Sequence, residues 1–502
     1  MEIAGAFWNG LTDGSGMLRF RVEGFHFHVL PMRTRFPFRY GIASLNWLPH
    51  VVVSVDLVVG GKWQRGVTAE GLPPKWFTKD PGTLFEADLA EMISVIQNAA
   101  RIGRHAGQVE GTFGEWWRAV QDEQTSWAGV RRVPGLLAGL GVSVVERAVL
   151  DGLCRAAGRP LHELMRGGEI VGDLGVVREA LAGVALANVL PEAPRGSVRV
   201  RHTVGLGDWL REEEIPEEAR LEDGLPVSLQ ACVRAYGLTH FKIKLGGELE
   251  VDRARLRGVF EVLEAEAGVD WWCTLDGNEA FLSLGAFREY YEGLAGDMGL
   301  KDGLERVMFV EQPLRREVCL ETEVAEGLAR WEEAPALLLD EGDGDLGAWP
   351  EAMRVGYRGV SHKNCKGVMK GVANLAMMQR ANVGDGGRRF VSGEDLANVG
   401  PVALNQDLAV QAMLGVAHVE RNGNHYFRGL SMWDPEVQEA VLSVHGDLFR
   451  RHEAGFATLD VRRGEVGLAS VNGAAFGCGL GVEWVEKLEP LAGWIRRGGM
   501  SD

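Results

Sequence analysis

The sequence holds no C-x-x-C pair, no excess of basic charge and no apolar run long enough to cross a bilayer. Its six cysteines (Cys154, Cys232, Cys273, Cys319, Cys365 and Cys478) are scattered singly, a pattern that predicts reduced thiols in a cytoplasmic protein. A transmembrane helix needs about 20 consecutive apolar residues, and no stretch supplies them. The opening MEIAGAFWNG has no basic segment followed by an apolar core, so no signal peptide is expected. With 53 Lys and Arg against 70 Asp and Glu, the net charge of −17 argues against a nucleic-acid or anionic-membrane surface. An acidic chain can still hold a local cationic pocket.

What is present is globular in composition. In 502 residues, 46% are hydrophobic and 25% charged, enough for two or three domains or for one large barrel with additions. The first part reads as α+β: FHFHVLPM and HVVVSVDLVV alternate like strands, whereas DLAEMISVIQNAARIG and SVVERAVLDGLCRAAG repeat apolar residues at helical spacing. Residues 167–197 are rich in Gly, Ala, Val and Pro without a period and read as an insertion or linker. From 198 onward, eight apolar runs alternate with helical segments: VRVRHTVGL, HFKIKL, WWCTLDGN, VMFVEQP, ALLLDEG, GVSHKNC, RFVSGED and VAHVERNG. Most lie roughly thirty residues apart, the length of a βα repeat, and eight such units close into a TIM-type (β/α)8 barrel. The expected organisation is an α+β unit over 1–166, the insertion over 167–197, the barrel over 198–455, and a segment over 456–502 that returns to the first unit.

Catalytic groups of a βα barrel sit at the C-terminal ends of its strands. Here the runs end in Lys242 and Lys244, Asp276 and Asn278, Glu311, Asp340, Lys363, Glu394 with Asp395, and Glu420. Taken singly, each acid could cap the helix that follows, and a K-x-K pair reads as the solvated face of an edge strand. Taken together they converge on one mouth. Asp276, Glu311 and Asp340 end three successive strands, and three carboxylates suit a hard cation, Mg²⁺ or Mn²⁺. A lysine titrates near 10.4, about three units too high for a base at neutral pH, unless burial or a second cation depresses it. Lys242 would supply that second cation to Lys244 and contact a substrate carboxylate, with Lys363 acting from the opposite side.

The order K-x-K, D-x-N, E-Q-P, D-E and a final lysine in HKNCKG resembles the enolase superfamily, specifically its muconate lactonizing enzyme subgroup among the mandelate racemase/muconate lactonizing enzyme-like proteins. TRFPFRYGIAS resembles the capping loop of that family, VVERAVLDGLCRAAGRPLHELM the helix before the barrel, and GLGVE the C-terminal segment that returns to the cap. The resemblance implies a modified (β/α)8 barrel with an N-terminal α+β capping domain completed by the C-terminal segment. It also implies abstraction of the proton α to a carboxylate, giving an enediolate stabilised by Mg²⁺ or Mn²⁺. In that scheme Asp276, Glu311 and Asp340 are the metal ligands, Lys244 and Lys363 the acid/base pair, and Lys242 the tuning and carboxylate-binding residue. Asn278 and Glu341 stand just outside the ligand set. Lys366 is a further candidate, with Lys363 nearer the strand.

The expected substrate is a small-molecule carboxylate acted on by a homo-oligomer. Racemisation or epimerisation of an amino-acid derivative or related acid is the simplest outcome of two opposed lysines. Cycloisomerisation or syn elimination, of muconate or o-succinylbenzoate type, uses the same lysines, and a non-catalytic metal-binding barrel is the reading from another class. Two loops depart from the family pattern, DEGDGD and KNCKGV. The last strand lacks the D-x-D of dipeptide epimerases, leaving Glu420, and VSGEDL after Lys363 disfavours the His/Asp dyad of mandelate racemases. Arg33, Arg35 and Arg39, with the loop PPKWFTKDP carrying Lys75, Trp76 and Phe77, are candidates for a lid that sets specificity; Ser392, Glu394 and Glu420 are further candidates for substrate contact. His26 and His28 read as a solvated or hydrogen-bonded pair, and VSGED lacks the G-x-S-x-G elbow of a nucleophilic serine.

Overall fold

Two long strands open the described chain. β1 (Arg19–Tyr40) and β2 (Ala43–Val59) pair antiparallel, and β3 (Lys62–Gly71) adds to the other edge of β2. The computed structural model describes residues 12, 14 and 16–500; the opening MEIAGAFWNG lies outside them. Valines and leucines of β2 are buried on both faces, because one face meets helices and the other meets the barrel side of the molecule.

A helical layer follows, α1 (Phe85–Ala106), α2 (Phe113–Arg131) and α3 (Gly135–Ala157), with a short β4 (Gly111–Thr112) between α1 and α2 that pairs with β1. α2 begins with a capping box, in which Thr112 and Glu115 exchange side-chain and backbone hydrogen bonds. α3 rides directly on β3 at Gly66: a Cβ there would stand 2.1 Å from the Ala148 carbonyl oxygen. Only glycine permits that approach.

The eight apolar runs each contain a strand: β5 (Ser197–Val204), β6 (His240–Lys244), β7 (Trp272–Asp276), β8 (Val307–Glu311), β9 (Leu337–Leu339), β10 (Gly359–His362), β11 (Phe390–Gly393) and β12 (His418–Glu420). All neighbours in the ring are parallel, and β12 pairs back to β5 through Glu420 and Arg201, which closes the barrel. Helices α4 (Leu229–Tyr236), α5 (Leu249–Ala267), α6 (Leu284–Ala295), α7 (Thr322–Ala329), α8 (Ala348–Val355), α9 (Val368–Asp385) and α10 (Ala403–Met413) fall one in each interval between strands. The fold is therefore a TIM-type barrel with an antiparallel-sheet cap.

The tail forms a hairpin, β13 (Phe449–Arg451) with β14 (Ala457–Leu459), then β15 (Glu465–Gly467), antiparallel to β5. β16 (Glu489–Pro490) finally joins β1 at His28 and Val29. Residues 167–197 contain three single-turn 3-10 segments that bury Leu174, Leu181 and Leu186. Among the described residues no helix is long and apolar enough to cross a membrane.

Cap strand and cap helix are locked by one buried ion pair. Arg147 of α3 places Nη2 2.7 Å from Glu70 Oε2 on β3, and its other nitrogens donate to Ala69 O and Ser143 Oγ. Both side chains are within 1% of full burial. Removing one partner of such a pair strands the other charge, which costs about 3–5 kcal/mol. Arg147→Met is therefore expected to lower the stability measured by urea unfolding by that amount, with Arg147→Met/Glu70→Gln recovering most of it; an unchanged midpoint in the single variant would show that the pair contributes nothing.

Candidate active site

Strand alternation turns Lys242 and Lys244 of β6 to the same side, the barrel interior, and both are buried. Lys242 Nζ lies 2.8 Å from Glu311, 3.0 Å from Asp276, 3.1 Å from Glu394 and 3.2 Å from Glu420. Burial alone would depress its pKa, yet the four carboxylates outweigh that effect and hold it well above the usual lysine value. One strand step higher, Lys244 Nζ is 2.6 Å from the same Asp276 oxygen. The Gly246 and Gly247 amides behind it both donate to Asp252 of α5, closing the turn on the chain's own carboxylate.

Across the ring, Lys363 Nζ stands 2.7 Å from Asp340 Oδ2, and Lys366 Nζ reaches Asp340 Oδ1 at 2.9 Å and the Ser361 hydroxyl at 2.6 Å. Burial pushes the Asp340 carboxyl up, but Lys363 and Lys366 prevail and hold it well below the usual range. Asp276 is lowered in the same way by Lys242 and Lys244. Glu311 behaves oppositely: burial, reinforced by Asp276 and Glu394, drives its carboxyl well up despite Lys242. Glu341 is pushed up to about 7 by burial and by the neighbouring Asp340, Glu279 and Asp276.

Glu311 Oε2, Glu341 Oε2 and Asn278 Oδ1 are buried without a hydrogen-bond partner. Open oxygen acceptors among mutually repelling carboxylates are what a hard cation takes up. Asp276, Glu311 and Asp340 at the ends of β7, β8 and β9 fit such an ion, and Asn278 Nδ2 approaches Glu341 Oε1 at 3.4 Å beside them.

The loops above these strands are strained. Asn278 (φ 40°), Glu279 (φ 62°) and Gln312 (φ 35°) all occupy the left-handed region, which costs a non-glycine residue about 1 kcal/mol each. The strain is held by specific bonds. Gln312 Oε1 accepts from the Asp340 and Gly342 amides, so β8 fixes the end of β9. Glu279 turns outward to Arg316, which in turn donates to Phe77 O at 2.7 Å and Trp76 O at 2.9 Å. Lys79 bonds the Asn278 carbonyl oxygen.

The loop PPKWFTKDP is thereby pinned over the barrel, and Lys363 Nζ lies 4.3 Å from the Trp76 ring centroid. Phe38, Tyr40, Leu45 and Trp76 from the cap meet Lys242, Lys244, Lys363, Asp395 and Glu420 around one small cavity that opens to solvent. A more voluminous groove between α2 and α3 reaches Lys366 from behind but gathers no matching set of acids and bases.

The other residues singled out from sequence are distributed as follows. Trp76 and Glu420 line the cavity. Ser392 and Glu394 are buried below it, bonded to each other and to Arg201. Arg33 and Arg39 are exposed and do not line it, while Arg35 is tied to Asp223 and to the carbonyl oxygens of Leu225, Pro226 and His425. His26 pairs with Asp56 at 2.9 Å. Sequence reasoning missed Arg201, Gln312 and Arg316. For Arg201 a signal existed: a charge inside an apolar strand of a closed barrel must find a buried partner.

No protein-family model and no curated protein sequence matches the chain. Solved structures do. The muconate lactonizing enzyme of Pseudomonas fluorescens complexed with muconolactone aligns with TM-score 0.58 at 14% identity, over 92% of this chain and 97% of that one. The N-succinyl Arg/Lys racemase of Bacillus cereus gives TM-score 0.55 at 13% identity over 90% and 97%. The dipeptide epimerase of Enterococcus faecalis, complexed with Mg and L-Leu-L-Tyr, gives 0.54 at 14% identity over 89% and 99%. The chain has the fold of these proteins along nearly their whole length.

If Arg316 is what pins the aromatic loop, Arg316→Ala leaves Glu279 buried with Lys79 at 3.8 Å as its remaining cation. Each charge-assisted bond lost contributes about 1.5–3 kcal/mol locally. Amide hydrogen exchange over residues 74–79 is expected to accelerate at least about tenfold in this variant while the barrel strands keep their protection; unchanged exchange in that loop would show that the cap holds it without Arg316.

Proposed function

We propose that this chain is a divalent-metal-dependent enzyme of the mandelate racemase/muconate lactonizing enzyme-like branch of the enolase superfamily, removing the proton α to a substrate carboxylate. The observation that carries the reading is the placement of Lys244 and Lys363. They line one cavity from positions four strands apart in an eight-membered ring, and so face each other across it. The barrel from β5 to β12 carries this chemistry, and β1–β4 with α1–α3, joined by the returning β16, form the cap over it.

Asp276, Glu311 and Asp340 would hold Mg²⁺ or Mn²⁺, with Asn278 and Glu341 beside them. Bound there, the ion supplies electrostatic stabilisation for negative charge on the substrate carboxylate. One lysine takes the α-proton and the other returns a proton to the opposite face, so the net change is racemisation or epimerisation. In the metal-free chain Asp340 keeps the Lys363 ammonium protonated, whereas burial opposes its charge. Once the aspartate is engaged elsewhere, burial favours the neutral amine that a base requires. Lys242 stays charged among its acids and offsets part of their negative charge at the cavity floor. An amino-acid derivative or related acid fits the two opposed lysines, and the likeness to an N-succinyl amino-acid racemase and a dipeptide epimerase supports that class. Phe38, Tyr40 and Trp76 around the cavity favour a second reading, cycloisomerisation or syn elimination of an unsaturated or pre-aromatic acid.

The test is α-deuterium incorporation in D₂O with Mg²⁺, read by mass spectrometry on separate enantiomers of N-acylamino acids, dipeptides and related carboxylates. Wild type is expected to exchange both enantiomers of one class, and Lys244→Ala and Lys363→Ala each to lose one enantiomer by about 10²–10⁴-fold. Dependence on one lysine alone would favour the second reading. A folded, Mg²⁺-loaded protein that exchanges nothing across these classes would sink the racemase proposal and point to a metal-binding barrel without catalysis.

Metal binding should also release protons. Burial and neighbouring acids raise the Glu341 and Glu311 carboxyls in the metal-free chain, and a cation favours their ionised forms. Affinity for Mg²⁺ is therefore expected to rise with pH through neutrality. Calorimetry in buffers of different ionisation enthalpy checks this, and Glu341→Gln should reduce the slope; a pH-independent affinity in wild type would contradict the assignment.

A further inference from the structure

A second cluster of metal-binding residue types lies outside the carboxylate site. On β5, Arg201 and Thr203 turn into the barrel, so His202 between them turns out, toward the helical layer. There it meets Cys232 of α4 and His425, which follows β12. One donor atom from each of the three falls within 4.8 Å of the others, and all three residues are buried. Cys232 Sγ is 3.7 Å from His425 Nδ1, and the two imidazoles stand 4.7 Å apart at 71°.

We propose that His202, Cys232 and His425 form a second metal site, of two-imidazole and one-thiolate type, for a zinc-class ion. Donors around tetrahedral zinc stand roughly 3.3–3.7 Å apart, so the set needs to contract by about 1 Å, within the reach of small side-chain rotations. The donor set is soft to borderline and unsuited to Mg²⁺, which takes oxygen ligands. A second feature points the same way. The far nitrogen of His425, Nε2, lies 3.7 Å from Asp208 Oδ2, an ion-pair separation just outside hydrogen-bond reach that a small shift on metal binding would close into the carboxylate–histidine bond of a ligating imidazole. Asp208 is itself fixed by the Gly205 amide and the Tyr426 hydroxyl.

Charge also balances. A divalent ion, one thiolate and the Asp208 carboxylate sum to zero, and Arg35 nearby is already paired with Asp223. Burial holds both imidazoles in the neutral, ligating form, His202 at about 4 and His425 well below its usual value. The Cys232 thiol, raised by burial, would lose its proton to solvent as the ion binds.

The site joins the first barrel strand, the first barrel helix and the segment after the last strand, where the barrel closes. It also reaches the cap: Arg35 donates to His425 O at 2.8 Å, and Tyr426 stacks on Phe38 at 4.0 Å, which walls the cavity. An ion here would fix the end of β1 beside its turn into β2, whatever reaction the cavity performs.

The experiment uses the full chain as purified without chelator, with metal content by mass spectrometry and parallel titration of metal-free protein with Co²⁺. Wild type is expected to carry about one zinc per chain and, with Co²⁺, to show thiolate-to-cobalt charge-transfer absorption in the near ultraviolet. Cys232→Ser should lose both signals, whereas Asp276→Asn, which alters the carboxylate cluster, should keep both. Chelator should lower the thermal midpoint of wild type and leave that of Cys232→Ser unmoved. Folded wild type with neither zinc nor the cobalt band, or a band that persists in Cys232→Ser, overturns the proposal.

Discussion

Lys242 gathers carboxylates from β7, β8, β12 and the loop after β11 within 3.2 Å of one ammonium group. TIM barrels ordinarily fill their interior with layers of branched apolar side chains. Here the layer under the mouth is ionic. Arg201 continues it downward, paired with Glu394 and bonded to Ser392 and His418. Taking such charges out of water costs several kcal/mol per ion, recovered only when the partners meet in good geometry. A slip of one residue in any of these strands would turn a charge toward the helices with no partner. The ionic layer thus specifies register as well as chemistry.

The cap is organised around the same layer. Chain leaving β7 and β8 must present Asp276 and Glu311 inward and then turn sharply, which is where the left-handed residues Asn278, Glu279 and Gln312 fall. The turn throws Glu279 to the rim, Arg316 bridges it to the backbone of Trp76 and Phe77, and Trp76 then covers Lys363. A cation over an indole face gains about 0.5–2 kcal/mol and excludes solvent from one side of the ammonium group. Local strain after β7 and β8 and closure of the aromatic loop are in this way two ends of one set of contacts.

The eight strands and the acids at their ends were legible in the sequence because βα repeats punctuate themselves: a short apolar run, a polar terminus, then a helical period. Lys242 and Lys244 were readable as a same-face pair, but their partners were not, since pairing across a closed barrel joins residues up to 178 positions apart. Residues 167–197 gave no signal because 3-10 turns of three residues show no period to detect. Arg33 and Arg39, read from the sequence as candidates for substrate contact, lie exposed on β1 and outside the lining of the cavity. The hint lay in TRFPFRYG itself, where Phe36, Phe38 and Tyr40 alternate with Arg35, Pro37 and Arg39. Burying the aromatic parity of a strand sends the other parity outward.

The loops KNCKGV and DEGDGD are tied to each other. KNCKGV carries Lys366, whose ammonium group sits behind Asp340 on its carbonyl oxygen, its carboxylate and Ser361. DEGDGD carries Asp343, whose carboxylate lies 4.0 Å from Lys366 and 3.1 Å from Lys370 and accepts from Asn374 Nδ2. Asn374 in turn accepts from Arg178, in the stretch 167–197. Asp343 thus draws Lys370 and Lys366 together behind Asp340, and buried charges that would each be costly alone satisfy one another. The contacts anchor the end of β9 to residues outside the barrel.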